Sequence, residues 1–387
     1  MLAWLAPLLV LGLVVFVHEF GHFLAAKIMG VYAPRFSLGW GPIVLRWRPK
    51  GTETEYVLSA LPIGGYVRMA SRDDETSSVL EGGNEAVKEG AEHDKDWDPE
   101  AMVPHGPKPV PANRWFESKP AWARIFILLS GVTMNALLTI TVATGIFAVN
   151  GRTYLPAVID STIPGMPAAG AGFQHSDSVV AVNGVALRSW TEFASRIAAS
   201  PKTPMHVTLT RSGAPLTIDV TPVDSTVPNP MTGAPQHIGL IGAWPHGTLA
   251  HDPMSLGASL SSGWRATLSM GGSVIGVLGG LVHGTISVKM LGGPIQIART
   301  SVEAAKSGSE ALFTLIAFLS INLAVLNLLP IPILDGGQVL LVVAEAVKGS
   351  RFSDRVRDVF MKVGLAAIAL LFAVVMYNDL KGLIFGR

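Results

Sequence analysis

The first long apolar run of the chain, residues 2 to about 29, carries three ionisable side chains inside it: His18, Glu19 and His22. A run of that length crosses a bilayer, which takes about 20 residues. An acid within hydrocarbon costs a few kcal/mol, so such residues face a cavity and serve function. A cleaved signal peptide would have a basic start and an uninterrupted apolar core. Here nothing basic precedes the run, whereas Lys27 and Arg35 follow it. By the bias of Lys and Arg toward the cytoplasm, the N-terminus lies outside and the far end of this helix faces inward.

The rest of the sequence agrees with a membrane setting. Of 387 residues, 49% are hydrophobic and 15% are charged, against about 25% charged in an ordinary soluble domain. A net charge of +1 without a basic, aromatic-laced patch gives no argument for nucleic-acid binding. The chain has no cysteine. Any zinc must therefore be held by His, Asp or Glu, and the redox compartment is left open.

The expected fold is a polytopic α-helical membrane protein with about four spans, a membrane-associated β-hairpin region and an inserted α+β domain. Residues 1–71 hold the first span and apolar strands in which Gly64-Gly65 signals a hairpin-type turn. Residues 72–113 form an acidic, proline-ended insertion that cannot bury enough apolar surface to fold alone. Residues 114–150 hold the second span, Trp122 to Val149. Residues 151–225 read as a strand-rich outer domain, and 226–310 as a linker. Residues 311–387 hold the third span, Phe313 to Leu334, and the fourth, Val363 to about Tyr377. The Gly-rich stretch at 264–288 is ambiguous. If it spanned, the basic cluster of Lys348, Arg351, Arg355, Arg357 and Lys362 would lie outside, so it is expected to be interfacial or partly inserted.

His18-Glu-Phe-Gly-His22 is the pattern H-E-x-x-H. On a helix the two histidines lie on one face, one turn apart, and can share one zinc ion. Glu19 can then reach a zinc-bound water as general base. Catalytic zinc usually has a third protein ligand. Asp335 follows Asn327-Leu-Leu-Pro330-Ile-Pro332, where prolines break a helix, and precedes Gly336-Gly337, where the chain can turn. It is the only acid between Glu310 and Glu345. The alternative is that Asp335 merely caps the next helix.

These two motifs together resemble the site-2 protease family of intramembrane zinc metalloproteases, in particular its bacterial RseP-like branch. Leu61-Pro-Ile-Gly-Gly-Tyr-Val67, Asn113-Arg-Trp-Phe-Glu-Ser-Lys-Pro120 and Leu291-Gly-Gly-Pro-Ile-Gln-Ile-Ala298 resemble further segments of that family, in the same order. The resemblance implies zinc on His18, His22 and Asp335, and Glu19 as base. It implies Asn327 holding substrate or polarising the scissile carbonyl. It implies that the strand of Gly64, Gly65 and Tyr66 pairs with an unwound substrate. The family often has G-P-x-x-N in the second span; this chain has Gly131-Val-Thr-Met-Asn135, without the proline. Asn135 can give polar support to the site or make an interhelical hydrogen bond without catalytic duty.

In the outer domain, Gly165-Met-Pro-Ala-Ala-Gly-Ala-Gly-Phe173 and Asp177-Ser-Val-Val-Ala-Val-Asn-Gly184 resemble a bacterial PDZ domain, with Ser176 where a Gly is usual. It would bind peptide termini or exclude bulky substrates. The implied setting is a bacterial inner membrane, with the site toward the cytoplasm and the PDZ domain periplasmic. The implied substrates are single-span proteins, anti-sigma factors or remnant signal peptides. Two other functions stand against this: a non-catalytic scaffold recruiting partners through the PDZ domain, and a zinc transporter or sensor. A scaffold has no need of Glu19, and a transporter would carry more intramembrane His and acids.

Overall fold

The computed structural model describes residues 3–71, 110–228, 235–288 and 291–385. Helix α1 (Ala6–Ile28) leads into two long strands, β1 (Arg35–Trp47) and β2 (Glu55–Arg68), and then helix α2 (Ala121–Asn150). A run of short elements follows: β3 (Arg152–Tyr154), β4 (Ile159–Thr162), α3 (Pro167–Ala171), β5 (Ser178–Val182), β6 (Val185–Ala186), α4 (Trp190–Ala198), β7 (Met205–Arg211), β8 (Ala214–Val220), β9 (Val223–Pro228), β10 (Pro235–Leu240), β11 (Ala243–Pro245) and β12 (Ala250–Asp252). Among the described residues five helices follow: α5 (Leu256–Val282), α6 (Pro294–Ser307), α7 (Ser309–Asn327), α8 (Asp335–Lys348) and α9 (Asp354–Phe385). They sort into two compact units, the first of residues 1–146, 260–281 and 287–387, the second of 147–259 and 282–286.

In the first unit, α1, α2 and α7 pack Val10, Val14 and Ile316 against Leu138, Val142, Leu319 and Leu323. Gly21 makes this packing close: a Cβ there would lie 2.5 Å from Ser130 O on α2. Five described helices are long and apolar enough to cross a membrane, one more than the hydropathy pattern suggested. The additional one is α5, an unbroken helix of 27 residues that covers the stretch expected to be interfacial or partly inserted. Its glycines lower its hydropathy to 1.3, the weakest of the five. They do not break it, because packing compensates poor propensity. Gly263, for example, is pressed so close to Thr144 that a Cβ would lie 2.7 Å from its backbone nitrogen.

The strands β1 and β2 fold into four pairing segments. Residues 35–38 run parallel to 55–58 on one side and antiparallel to 65–68 on the other, while 43–47 pair with 56–59. The reversal in β2 therefore comes at about residues 59–61, not at Gly64-Gly65 as the glycine pair suggested. Gly64 lies within the returning strand at φ 85°, and Gly65 is there for a close approach described below. One face of this sheet packs Phe36 and Val67 on Phe16, Phe20 and Phe23 of α1. The opposite face carries the buried pair Arg35–Glu55, 3.0 Å apart.

The base of the acidic segment is clamped. Tyr32 N donates to Arg114 O at 2.9 Å, Ala70 N to Tyr32 O at 2.8 Å and Phe116 N to Ala70 O at 2.8 Å. Glu53 takes Lys27 at 2.5 Å and both Arg114 nitrogens at 2.7 and 2.9 Å. Burial alone would raise the Glu53 carboxyl, but those hydrogen bonds outweigh it and hold it below the usual range. The insertion expected at 72–113 lies, up to residue 109, outside the described residues. Elsewhere in the unit, buried Glu345 of α8 accepts from Arg124 of α2 at 3.2 Å and Arg357 of α9 at 2.9 Å.

The second unit is built around Ile159, Phe173, Val179, Phe193, Val207 and Leu209. Its main sheet has the order β6-β5-β7-β8. Ile241 and Ala243 join the same core, and β11 pairs with β4, so the packed unit runs on beyond residue 225. Ser189 caps α4, its side chain accepting from Glu192 N at 3.2 Å.

Candidate metal centre

The apolar stretch of α1 favours helix, and its spacing of four puts His18 and His22 on one side, where both are buried. Their rings stand nearly perpendicular with centroids 4.8 Å apart. The two Nε2 atoms are 3.3 Å apart. Asp335 completes the group: its Oδ2 lies 3.3 Å from His18 Nε2 and 3.4 Å from His22 Nε2. That oxygen is buried without a partner of hydrogen-bonding geometry. Three lone-pair atoms thus form a nearly equilateral triangle. Ligands bound tetrahedrally at about 2.0–2.2 Å stand about 3.3–3.6 Å from one another. The donor set, its spacing and the orphaned oxygen fit zinc, and no other group of three such residues converges among the described residues.

Local chemistry explains how Asp335 reaches the histidines. Helix α7 ends at Asn327, and Pro330 and Pro332 stop it from continuing. The chain then turns through Ile331 N to Leu329 O at 2.8 Å and Leu334 N to Ile331 O at 2.9 Å. Gly336 and Gly337 let α8 start immediately: a Cβ at Gly336 would lie 2.6 Å from Leu329 O, and one at Gly337 would run into Ile331 O. The cap position of α8 falls to Leu334. The Asp335 carboxylate is directed at the imidazoles instead.

Helix α2 supplies the wall behind the histidines through Ile127, Gly131 and Asn135, spaced by four. His22 Nδ1 donates to Ile127 O at 2.9 Å. Gly131 is where the rings touch the helix: a Cβ there would collide with His22 Nε2 and lie 2.8 Å from His18 Cε1. Asn135 is fully buried, its amide 3.4 Å from His18 Nδ1. Asn327 places its Nδ2 2.9 Å from His18 Nε2. The sequence did not single out Gly131 as a contact or Ile127 at all. A backbone carbonyl leaves no letter, and the only available signal was a small residue in the α2 stripe facing H-E-x-x-H.

Glu19 points toward β2. A Cβ on Gly65 would lie 3.2 Å from Glu19 Cγ, and the Val67 backbone N–H bonds the Glu19 carboxylate. Gly65 and Val67 share one face of the strand, and Tyr66 the other. Tyr66 pairs with Ser37 and hydrogen-bonds Arg35. The structure thus brings His18, His22, Asp335, Asn135 and Asn327 around one point and sets Glu19 beside Gly65, while the Tyr66 side chain leaves the site.

Known proteins resemble the chain along nearly its whole length. Residues 6–371 match Peptidase family M50. The chain is 31% identical to the zinc metalloprotease RasP of Bacillus licheniformis, over 98% of this chain and 99% of that protein. It is 30% identical to the regulator of sigma-W protease RasP of Bacillus subtilis, over 98% of both. A RasP of Geobacillus kaustophilus is 31% identical over 97% of this chain and 96% of that protein. The reading of a non-catalytic scaffold gives way to an enzyme. With its apolar helices and its paired motifs, the chain belongs to peptidase family M50, the site-2 proteases, and is an intramembrane zinc metalloprotease.

Proposed function

We propose that His18, His22 and Asp335 hold the zinc ion and that Glu19 is the general base in the cleavage of membrane-protein substrates. The observation that carries this is the triangle of three donor atoms, 3.3 to 3.4 Å on each side, one residue from a carboxylate. Zinc, when bound, supplies a water acidified to a pKa of about 7 and a Lewis acid for the scissile carbonyl. Glu19 takes the proton of the attacking water and returns it to the leaving amine. Asn327, beside His18, orients the substrate carbonyl. Gly64, Gly65 and the Tyr66 backbone offer a strand edge next to Glu19, on which an unwound segment pairs through backbone hydrogen bonds.

The substrates are single-span membrane proteins, anti-sigma factors or remnant signal peptides, which accords with the name of the Bacillus subtilis relative. The residue 165–184 motifs and the strand-helix order of the second unit support a PDZ-like domain that selects or excludes substrates. The setting is a bacterial inner membrane, with this domain periplasmic and the metal centre toward the cytoplasm. This sidedness takes α5 as interfacial, which puts the basic residues Lys348, Arg351, Arg355 and Arg357 on the cytoplasmic side; a fully inserted α5 would put them outside.

The test is Glu19→Gln in full-length protein reconstituted with a tagged single-span substrate. Zinc content stays at the wild-type level while cleavage falls by at least about 10²-fold, the scale of a lost general base. Cleavage that persists shows the base to lie elsewhere.

A further inference from the structure

Each histidine of the metal centre has a second ring nitrogen, and the partner of that nitrogen fixes which tautomer the ring adopts. For His22 the partner is a carbonyl, Ile127 O, 2.9 Å from Nδ1. A carbonyl only accepts, so Nδ1 carries the proton and the Nε2 lone pair faces Asp335. For His18 the partner is the Asn135 amide. Its Nδ2 lies 3.4 Å from His18 Nδ1, while its Oδ1 is buried with no partner.

That orientation suits only a ring protonated on Nε2, which takes His18 out of the ligand set. With Nε2 turned to a metal, Nδ1 is a donor, and an amide nitrogen facing it sets donor against donor. The two ends of an amide have the same shape, and their assignment follows from the bonds they make. Turned by half a turn about its side-chain bond, Asn135 presents Oδ1 to the His18 Nδ1 proton. A conflict becomes a hydrogen bond.

We infer that Asn135 is the positioning residue of His18: its side-chain oxygen accepts the Nδ1 proton and so aims the Nε2 lone pair at the centre. This rests on the reading of His18, His22 and Asp335 as the zinc site. The competing role, a tie between helices, is already filled by other groups at the same level. Ser320 Oγ of α7 donates to the Asn135 backbone carbonyl at 2.9 Å, and Thr139 Oγ1 donates to Ala317 O of α7 at 3.1 Å. Neither bond uses the Asn135 side chain. Helix α2 thus orients both imidazoles, one through a backbone carbonyl and the other, two turns on, through an amide.

The experiment measures zinc affinity of the detergent-purified full chain by competition with a chromophoric chelator. Asn135→Leu fills the space without an acceptor, whereas Asn135→Asp keeps one. Loss of a partner to a ligating histidine weakens metal binding about 10- to 100-fold. That loss is expected for Asn135→Leu, with Asn135→Asp within about threefold of wild type. Asn135→Ala, expected to weaken like Leu, serves if the Leu variant does not fold, as judged by thermal unfolding in excess chelator. The inference is overturned if Leu and Ala bind zinc as tightly as wild type, or if Asp is weakened as much as they are. His18→Ala tests the underlying reading separately: unchanged zinc affinity in that variant removes the zinc site itself, and the role of Asn135 with it.

Discussion

Gly131 is the tightest point behind the imidazoles, and the constraint is one of volume. Its missing Cβ leaves room for both rings, which a methyl would strike. Gly131→Ala is expected to cost about 1–3 kcal/mol of packing and to lower zinc affinity at least about tenfold, measured by chelator competition. Normal binding would show that the rings have slack. Among single residues, those with a chemical signature could be read from the sequence. His18, Glu19 and His22 stand out because ionisable groups in an apolar run need a shared reason, and Asp335 because it is the lone acid between two helix breakers. Gly131 and the Ile127 carbonyl were not legible. Their contribution is an absence of atoms in one case and backbone in the other, and both become meaningful only once α2 is packed on α1. Tyr66 fell on the strand expected to meet substrate, but alternation along the strand turns its side chain toward Arg35.

At the level of elements, α9 carries a carboxylate that the metal centre does not use. Asp379, buried, accepts from Gly293 N at 2.9 Å, Ile295 N at 2.9 Å and Gln296 N at 3.3 Å. It caps α6 from another helix, and Asn378 adds a bond to Val288 O at 2.9 Å. The Gly-Gly-Pro segment is thus shaped for a neighbour's side chain, and a Cβ on Gly293 would lie 2.6 Å from Asp379 Oδ2. Asp379→Leu leaves those N–H groups unpaired and is expected to destabilise the protein by about 0.5–2 kcal/mol, with Asp379→Asn milder, read from thermal unfolding in detergent. In the second unit, Asp177 is enclosed. Burial alone would raise its carboxyl, but Arg211 at 2.7 Å to each oxygen and Gln174 N at 2.8 Å hold it below the usual range. A carboxyl depressed by folding stabilises above its unfolded pKa of about 3.9 and ceases to as pH falls through its folded value. Asp177→Asn is therefore expected to lose amide-exchange protection in β5 and β7 at neutral pH, with the gap to wild type closing below about pH 4. A constant gap at all pH values would refute it. Hydropathy revealed most of the long helices. It gave α5 the weakest signal, because glycine lowers an average without breaking a packed helix, whereas the glycine pair misplaced the turn in β2, because Gly65 answers to Glu19 rather than to a reversal.

Taken whole, the molecule was legible as to class: low charge and long apolar runs fix a membrane protein, and two separated motifs fix its chemistry. Long-range ties were not, since nothing in sequence pairs Glu345 with Arg124 and Arg357. The same holds for the clamp around Tyr32, Ala70, Arg114 and Phe116. Those bonds hold Ala70 and Arg114 against the same residue, Tyr32, so the points where the chain leaves and rejoins the described fold are already joined. For a flexible loop closed at such a junction, halving the length alters the closure cost by only about 0.6 kcal/mol. The chain therefore has a built-in splice point. A fluorescent protein exchanged for the stretch between Glu75 and His105 is expected to leave zinc affinity and substrate cleavage within about twofold of wild type, giving a traceable enzyme for imaging in living cells. Loss of either property in the chimera would show that the acidic stretch is more than cargo.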